Sequence, residues 1–115
     1  MHELSIMSSI LDIVIEHANK NDAKKINSIN LSIGMLSDVL PEWAQNYFEF
    51  VSKDTIAEKA VLNIKRIPVK IRCRECGSET EFKDREWSFT CPSCTSAAIE
   101  LVSGRELSIE SIEID

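Results

Sequence analysis

Four cysteines stand as two C-x-x-C pairs, Cys73-Arg-Glu-Cys76 and Cys91-Pro-Ser-Cys94, with fourteen residues between them. Two thiolates from one tight turn, faced by two from another, make a tetrahedral all-sulfur set. That set suits Zn(II), with Zn–S near ~2.3 Å and no position left open for a substrate. The gap is one residue short of the usual ribbon interval of about 15–20. Turn chemistry agrees with the reading: Gly77 follows the first pair and can take φ > 0, and Pro92 stiffens the second. Disulfides, or a rubredoxin-like iron site that would be red, draw on the same four residues. Structural zinc on Cys73, Cys76, Cys91 and Cys94 is the expectation, and such a closed site is scaffold, so the function has to be sought elsewhere.

The second constellation is the opening Met1-His2-Glu3. Histidine is too large at position two for methionine removal, so Met1 is expected to keep a free α-amine. That amine, the His2 backbone nitrogen and the His2 imidazole close fused chelate rings on one metal, and the Glu3 amide or a carboxylate supplies a further donor. A nitrogen-rich, tetragonal set suits Ni(II) or Cu(II) better than Mg or Ca. Binding that needs amine and amide protons to leave weakens as pH falls. The plain alternative is a frayed, solvated terminus in which Glu3 merely favours a helix start. His17, the other histidine, reads as a dipole-compatible residue near a helix C-terminus rather than a ligand.

The elements that must position these groups follow from periodicity. Leu4, Met7, Leu11, Val14 and Ala18, widened by Ile10, predict an amphipathic helix over about 4–19 that stops at Asn19-Lys20-Asn21-Asp22. Ile29, Leu31 and Ile33 alternate with Asn30 and Ser32 as a half-buried strand ended by Gly34. Pro41 and Glu42 open a second helix lined by Trp43, Tyr47, Phe48 and Val51. Leu62 and Ile64 begin a strand that continues through Ile67, Val69 and Ile71, past Pro68, into Cys73. Beyond Gly104, Leu107 and Ile109 alternate, then Ile112 and Ile114 do so one step out of phase, which predicts a β-bulge near Glu110-Ser111. The fold expected is α+β: a small mixed α/β nickel-binding domain of two helices on a β-sheet, residues 1–72 plus 105–115, with an inserted four-cysteine zinc ribbon, residues 73–104. Phe82, Trp87 and Phe89 are the ribbon's large apolar groups, so the metal must supply much of its folding free energy.

Bulk properties narrow the function. The chain has 115 residues, is 43% hydrophobic and 28% charged, and carries a net charge of −6. An acidic total speaks against nucleic acid. Lys65, Arg66, Lys70, Arg72 and Arg74 cluster before the ribbon, where they read as a solvated strand face rather than a phosphate contact. No secretory signal pattern opens the chain, and no run approaches the roughly 18 apolar residues of a membrane span. A cytoplasmic protein with reduced cysteines is expected, in contact with neither membrane nor nucleic acid. There is no nucleophile elbow, Gly-rich phosphate loop or H-E-x-x-H, so no enzyme is expected.

These residues resemble the HypA family of nickel-insertion accessory proteins for [NiFe]-hydrogenase. Met1-His2-Glu3-Leu4-Ser5-Ile6 looks like that family's N-terminal signature with its His-Glu nickel site. Ile33-Gly34-Met35-Leu36-Ser37 with Pro41-Glu42, then Phe48-Glu49, is similar to its strand–loop–helix segment. Ala60-Val61-Leu62 and Ile67-Pro68-Val69 match the approach to its ribbon, the four cysteines match its zinc ligands, and Gly104-Arg105-Glu106-Leu107 resembles its closing strand. Two departures stand out: Asp38 occupies a position where the family commonly has glycine, which reads as a turn cap, and no histidine falls near the second C-x-x-C. The resemblance implies a nickel metallochaperone that takes transferable Ni(II) at Met1, His2 and Glu3 and hands it to the hydrogenase large subunit. It implies a HypB-type GTPase as partner, in some relatives urease as well, and structural Zn(II) at the four cysteines. A monomer or a homodimer fits the sequence equally. The competing reading is a zinc-ribbon interaction adaptor that never carries nickel.

Overall fold

A computed structural model describes residues 2–37, 39–82 and 88–115, with His2 described in its backbone alone. The element order is α1 (His2–Lys20), β1 (Ile26–Gly34), α2 (Pro41–Val51), β2 (Val61–Ile67), β3 (Val69–Cys73), β4 (Glu79–Phe82), β5 (Ile99–Ser103) and β6 (Leu107–Ile114). Two three-stranded sheets form, in the orders β2-β1-β6 and β4-β3-β5. This is the α+β architecture with a four-cysteine ribbon that the sequence predicts. The chain falls into two compact units, Met1–Ser32, Asp38–Lys65 and Ser108–Asp115 in one, and Ile33–Ser37 with Arg66–Leu107 in the other.

In the first unit the helical stripe does what its period requires. Met7, Ile10, Leu11, Val14 and Ala18 are all buried, as are the α2 residues Ala44 and Phe48 and the strand residues Ile26, Ile29 and Leu31, and α1 packs on α2. Helix α1 closes with Asp22 at φ 53°, the Ala23 N–H reaching the Ala18 carbonyl at 3.0 Å and the Asp22 N–H reaching Asn19 at 3.2 Å. That bond pattern around a left-handed residue satisfies carbonyls the helix end would otherwise leave open. Pro41 occupies the first turn of α2 after Leu40, which caps without a side-chain bond.

Two readings change here. Trp43 does not line the buried face of α2: it is 54% exposed, and Ala44 takes the inward place beside Phe48. Spacing alone could not tell Trp43 from Ala44, because size biased the reading toward the aromatic. Ser28 and Ser32 of β1 are buried, although Ser32 was expected on an open polar face. They are satisfied by carboxylates of β6, Ser28 donating to Glu113 at 2.6 Å and Ser32 to Glu110 at 2.7 Å. As the central strand of its sheet, β1 is covered in a way alternation cannot report. The phase of β6 does shift where expected: Leu107, Ile109, Ile112 and Ile114 are half-buried, with Glu110 and Ser111 both exposed between them.

In the second unit β3 is central, antiparallel to β4 through Val69–Phe82, Lys70–Glu81, Ile71–Thr80 and Arg72–Glu79. It is antiparallel to β5 through Arg72–Glu100 and Cys73–Ile99, with an irregularity between Lys70 and Ile71. The run expected to pass through Pro68 is therefore two strands in two sheets. Proline lacks the N–H that a continued ladder needs, and the Pro68 carbonyl accepts instead from the Ser103 hydroxyl at 2.8 Å. Ile33–Ser37 belongs to this unit: the Gly34 N–H donates to Glu106 O at 2.7 Å, Met35 to Ile67 O at 2.9 Å and Leu36 to Gly104 O at 2.7 Å. A Cβ on Gly34 would overlap the Gly104 carbonyl, so glycine is required there for backbone approach rather than for a turn.

Candidate metal centre

The strand pairing of β3 carries Cys73 to the end of the sheet, where the chain turns sharply. The Gly77 N–H donates to Cys73 O at 3.0 Å and the Cys73 N–H to Ser78 O at 2.9 Å, closing a knuckle with Gly77 at φ 76°. The second knuckle repeats this geometry. The Thr95 N–H donates to Cys91 O at 2.8 Å, the Cys91 N–H to Ser96 O at 2.8 Å, and Thr95 stands at φ 62°. Arg74 N–H to Ala98 O at 2.8 Å ties the two turns together.

The four sulfurs of Cys73, Cys76, Cys91 and Cys94 lie within 4.8 Å of one another. Cys73 and Cys94 approach to 3.5 Å and Cys76 and Cys91 to 3.6 Å. Each knuckle contributes one buried thiol, Cys73 or Cys91, and one exposed thiol, Cys76 or Cys94. All four are free cysteines. Sulfurs converging from two turns make a closed, soft, four-ligand set, the kind zinc occupies structurally. That donor set fits the metal the sequence calls for.

Hydrogen bonds aimed at two of the sulfurs favour their thiolates. The Ser78 hydroxyl lies 3.1 Å from Cys76 Sγ and 3.5 Å from Cys91 Sγ. That hydroxyl, followed by the Cys94 amide, holds the Cys91 thiol down to about 6. Cys76 is lowered as well, by the Ser78 hydroxyl and then the Ser78 amide. Cys94 goes the other way, up to about 12: the Ser96 amide favours its thiolate, but Cys73, burial and the remaining thiols outweigh it. A bound cation removes this division, because every ligand must then be deprotonated.

Sequence reading found the four cysteines but not Ser78. The signal was present: both pairs extend to Cys-x-x-Cys-x-Ser, ending at Ser78 and Ser96. The ribbon's apolar support also differs from expectation. Phe89 is 61% exposed and Phe82 half-buried, whereas Val69 and Ile71 of β3 are buried; Trp87 lies outside the described residues. Three members of the basic cluster find carboxylate partners within the chain. Lys70 meets Glu79 at 3.1 Å, Arg72 meets Glu79 at 2.8 Å and Glu100 at 3.4 Å, and Arg74 meets Glu100 at 3.5 Å. Arg72 and then Lys70 hold the Glu79 carboxyl below the usual carboxylate range.

Helix α1 begins at His2, two residues earlier than periodicity predicts, and places Glu3 in its first turn. Met1, the His2 side chain and Asp38 lie outside the described residues. Among the described residues, no helix is long and apolar enough to cross a membrane.

Fold and site together define an α+β protein carrying a four-cysteine metal ribbon. The chain belongs to the HypA family: the family model described as "Hydrogenase/urease nickel incorporation, metallochaperone" matches residues 1–114. The hydrogenase maturation factor HypA of Dehalococcoides mccartyi is 40% identical over 115 residues, covering 100% of this chain and 95% of that one. The HypA of Aquifex aeolicus is 36% identical over 115 residues, with coverage of 100% and 98%. The solution structure of the Ni metallochaperone HypA from Helicobacter pylori superposes with a TM-score of 0.66 at 26% identity, covering 97% of this chain and 96% of that one. A second HypA solution structure gives 0.73 at 28% identity, with coverage of 99% and 96%. Members of this family are maturation factors, not enzymes.

Proposed function

We propose that this chain carries Ni(II) on the Met1 amine, the His2 nitrogens and Glu3, and delivers it to the large subunit of a [NiFe]-hydrogenase, while Cys73, Cys76, Cys91 and Cys94 hold structural Zn(II). The observation that supports this most is the family match across residues 1–114, which takes in the Met1-His2-Glu3 terminus and the ribbon together. A HypB-type GTPase is the working partner and the cytoplasm the compartment. Function divides between a nickel-binding body, residues 1–72 plus 105–115, and a zinc ribbon, residues 73–104.

Physical chemistry favours the terminus as a cargo site. The first N–H groups of a helix have no intrahelical partner, so a metal that displaces the His2 amide proton costs α1 no backbone hydrogen bond. The dipole of the helix N-terminus opposes a cation; the Glu3 carboxylate in the first turn and the lost amide proton offset that. A site made from so few side chains exchanges ligands readily with an acceptor, whereas the closed four-sulfur set would trap its metal.

The test is a nickel titration on protein with its native terminus, followed by heat and d–d absorbance, beside His2→Ala and a form with one extra residue before Met1. Tight one-to-one binding lost in both variants is expected. Unchanged binding in both moves nickel away from His2, and no binding at all leaves the zinc-ribbon adaptor as the better reading.

A further inference from the structure

We infer that Ser78 is a positioning residue of the metal centre: its hydroxyl donates to the Cys76 and Cys91 thiolates across the two knuckles and slows loss of the bound metal. The inference rests on the reading that the four cysteines hold a metal. A thiolate bound to a cation can only accept, so the O–H at 3.1 Å from Cys76 Sγ must be the donor, and Cys91 Sγ at 3.5 Å shares the same proton. Those two sulfurs belong to different knuckles and lie 3.6 Å apart. One is exposed and the other buried, so a single hydroxyl supports both the reachable and the enclosed ligand on its side of the site. Electron density drawn into a hydrogen bond is less available to a competing metal, proton or electrophile, so the site should be slower to exchange and to react.

The repeat supplies an internal control. Ser96 holds the equivalent place in the second Cys-x-x-Cys-x-Ser, yet its hydroxyl accepts from the Ala98 N–H at 3.0 Å. Equal positions in the sequence therefore do unequal work: one side chain serves the sulfurs and the other serves the backbone. The turn itself does not depend on the Ser78 hydroxyl, because the backbone bond between Ser78 O and Cys73 N–H survives its removal.

The experiment uses the full zinc-loaded chain and its Ser78→Ala, Ser78→Thr and Ser96→Ala variants. Zinc transfer to a chromophoric chelator is timed, and the sulfur-to-metal charge-transfer band is recorded after Co(II) replacement. Ser78→Ala should release zinc on the order of ten-fold faster, as losses of outer-sphere partners generally do, and should shift the Co(II) band. Ser78→Thr should return both toward the wild-type values, and Ser96→Ala should leave the band in place. Equal release from Ser78→Ala and wild type overturns the inference, as does a Ser96→Ala variant that matches Ser78→Ala in both readouts. A chain that takes up no stoichiometric zinc, or whose zinc content is indifferent to Cys91→Ala, overturns the underlying assignment of the cysteines instead.

Discussion

The first knuckle turns on Gly77 at φ 76° and the second on Thr95 at φ 62°, two nearly equal backbone conformations built from very unequal residues. Glycine takes a left-handed conformation freely, while a β-branched residue there is a genuine outlier. Around these pivots the knuckles match closely. Each closes with the same pair of backbone bonds, and each directs an amide at its second sulfur, Ser78 to Cys76 and Ser96 to Cys94. They part company in the side chains. The first knuckle turns its serine on two sulfurs and carries no strain at its pivot; the second turns its serine on the Ala98 amide and stores strain at Thr95. A metal asks only for four sulfurs in one place, so backbone geometry is duplicated where it sets sulfur positions and free to diverge elsewhere. Strain of about 1–3 kcal/mol at Thr95 is tolerable in a turn that a bound metal overdetermines.

The largest effect expected is on the metal itself. Structural zinc in small finger peptides contributes about 10–16 kcal/mol near pH 7, far more than the apolar surface of two short turns. Chelation or Cys91→Ala should erase amide protection at the described residues of both knuckles while α1, α2 and β1 keep theirs. If strain distinguishes the turns, residues 91–98 lose protection before 73–79 as chelator is raised. Amide exchange followed through a chelator series measures this, and protection that persists in metal-free protein sinks the dependence of the ribbon on its ion.

A swap at the pivots is the next largest. No atom of the described residues lies within 4 Å of a Cβ placed on Gly77, so against them substitution there costs conformation and no packing. Gly77→Thr should destabilise the zinc-loaded protein by about 1–2 kcal/mol, and Thr95→Gly should stabilise it by about 0.5–1 kcal/mol after the added chain entropy of glycine. Denaturant midpoints at fixed zinc read both. A Thr95→Gly protein that is less stable than wild type would mean the Thr95 hydroxyl bond to Cys94 O at 2.6 Å outweighs the strain, and the comparison would invert.

How much of this was legible depends on what each residue has to announce itself with. The cysteine spacing and the α1 stripe were plain, since the first is a geometric requirement repeated twice and the second is a period sustained from Leu4 to Ala18. Gly34 was matched by resemblance, but its reason, a close pass of the Gly104 carbonyl, needs the third dimension. At Pro68 the apolar alternation on either side hides a break: the missing N–H divides β2 from β3, which lie in different sheets. Trp43 misled because hydrophobicity does not say which side of a helix is covered, and Ser32 misled because a polar residue on a central strand can be buried under a carboxylate. Thr95 had no signal at all, as propensity argues against the conformation it adopts. Membership of the HypA family comes from the likeness of the whole chain, whereas the nickel site proposed at Met1-His2-Glu3 rests on residue types and on the resemblance of that terminus.

The smallest effect separates hydroxyl from backbone in the second knuckle. Ser96→Ala removes one acceptor from the Ala98 N–H at 3.0 Å, a bond of neutral partners at a half-buried turn. Its loss should cost about 0.5–1.5 kcal/mol, visible as a modest fall in the denaturant midpoint. The same change at Ser78 removes a donor to two thiolates, a charge-assisted bond, and should cost more, about 1.5–3 kcal/mol. What distinguishes them is the sulfur chemistry: only the first knuckle's serine should alter the Co(II) charge-transfer band. Two variants split in spectrum would establish that the knuckles differ in function while sharing a backbone. A matched pair of spectra would make the first serine another turn residue, and the asymmetry between the knuckles would reduce to the strain at Thr95.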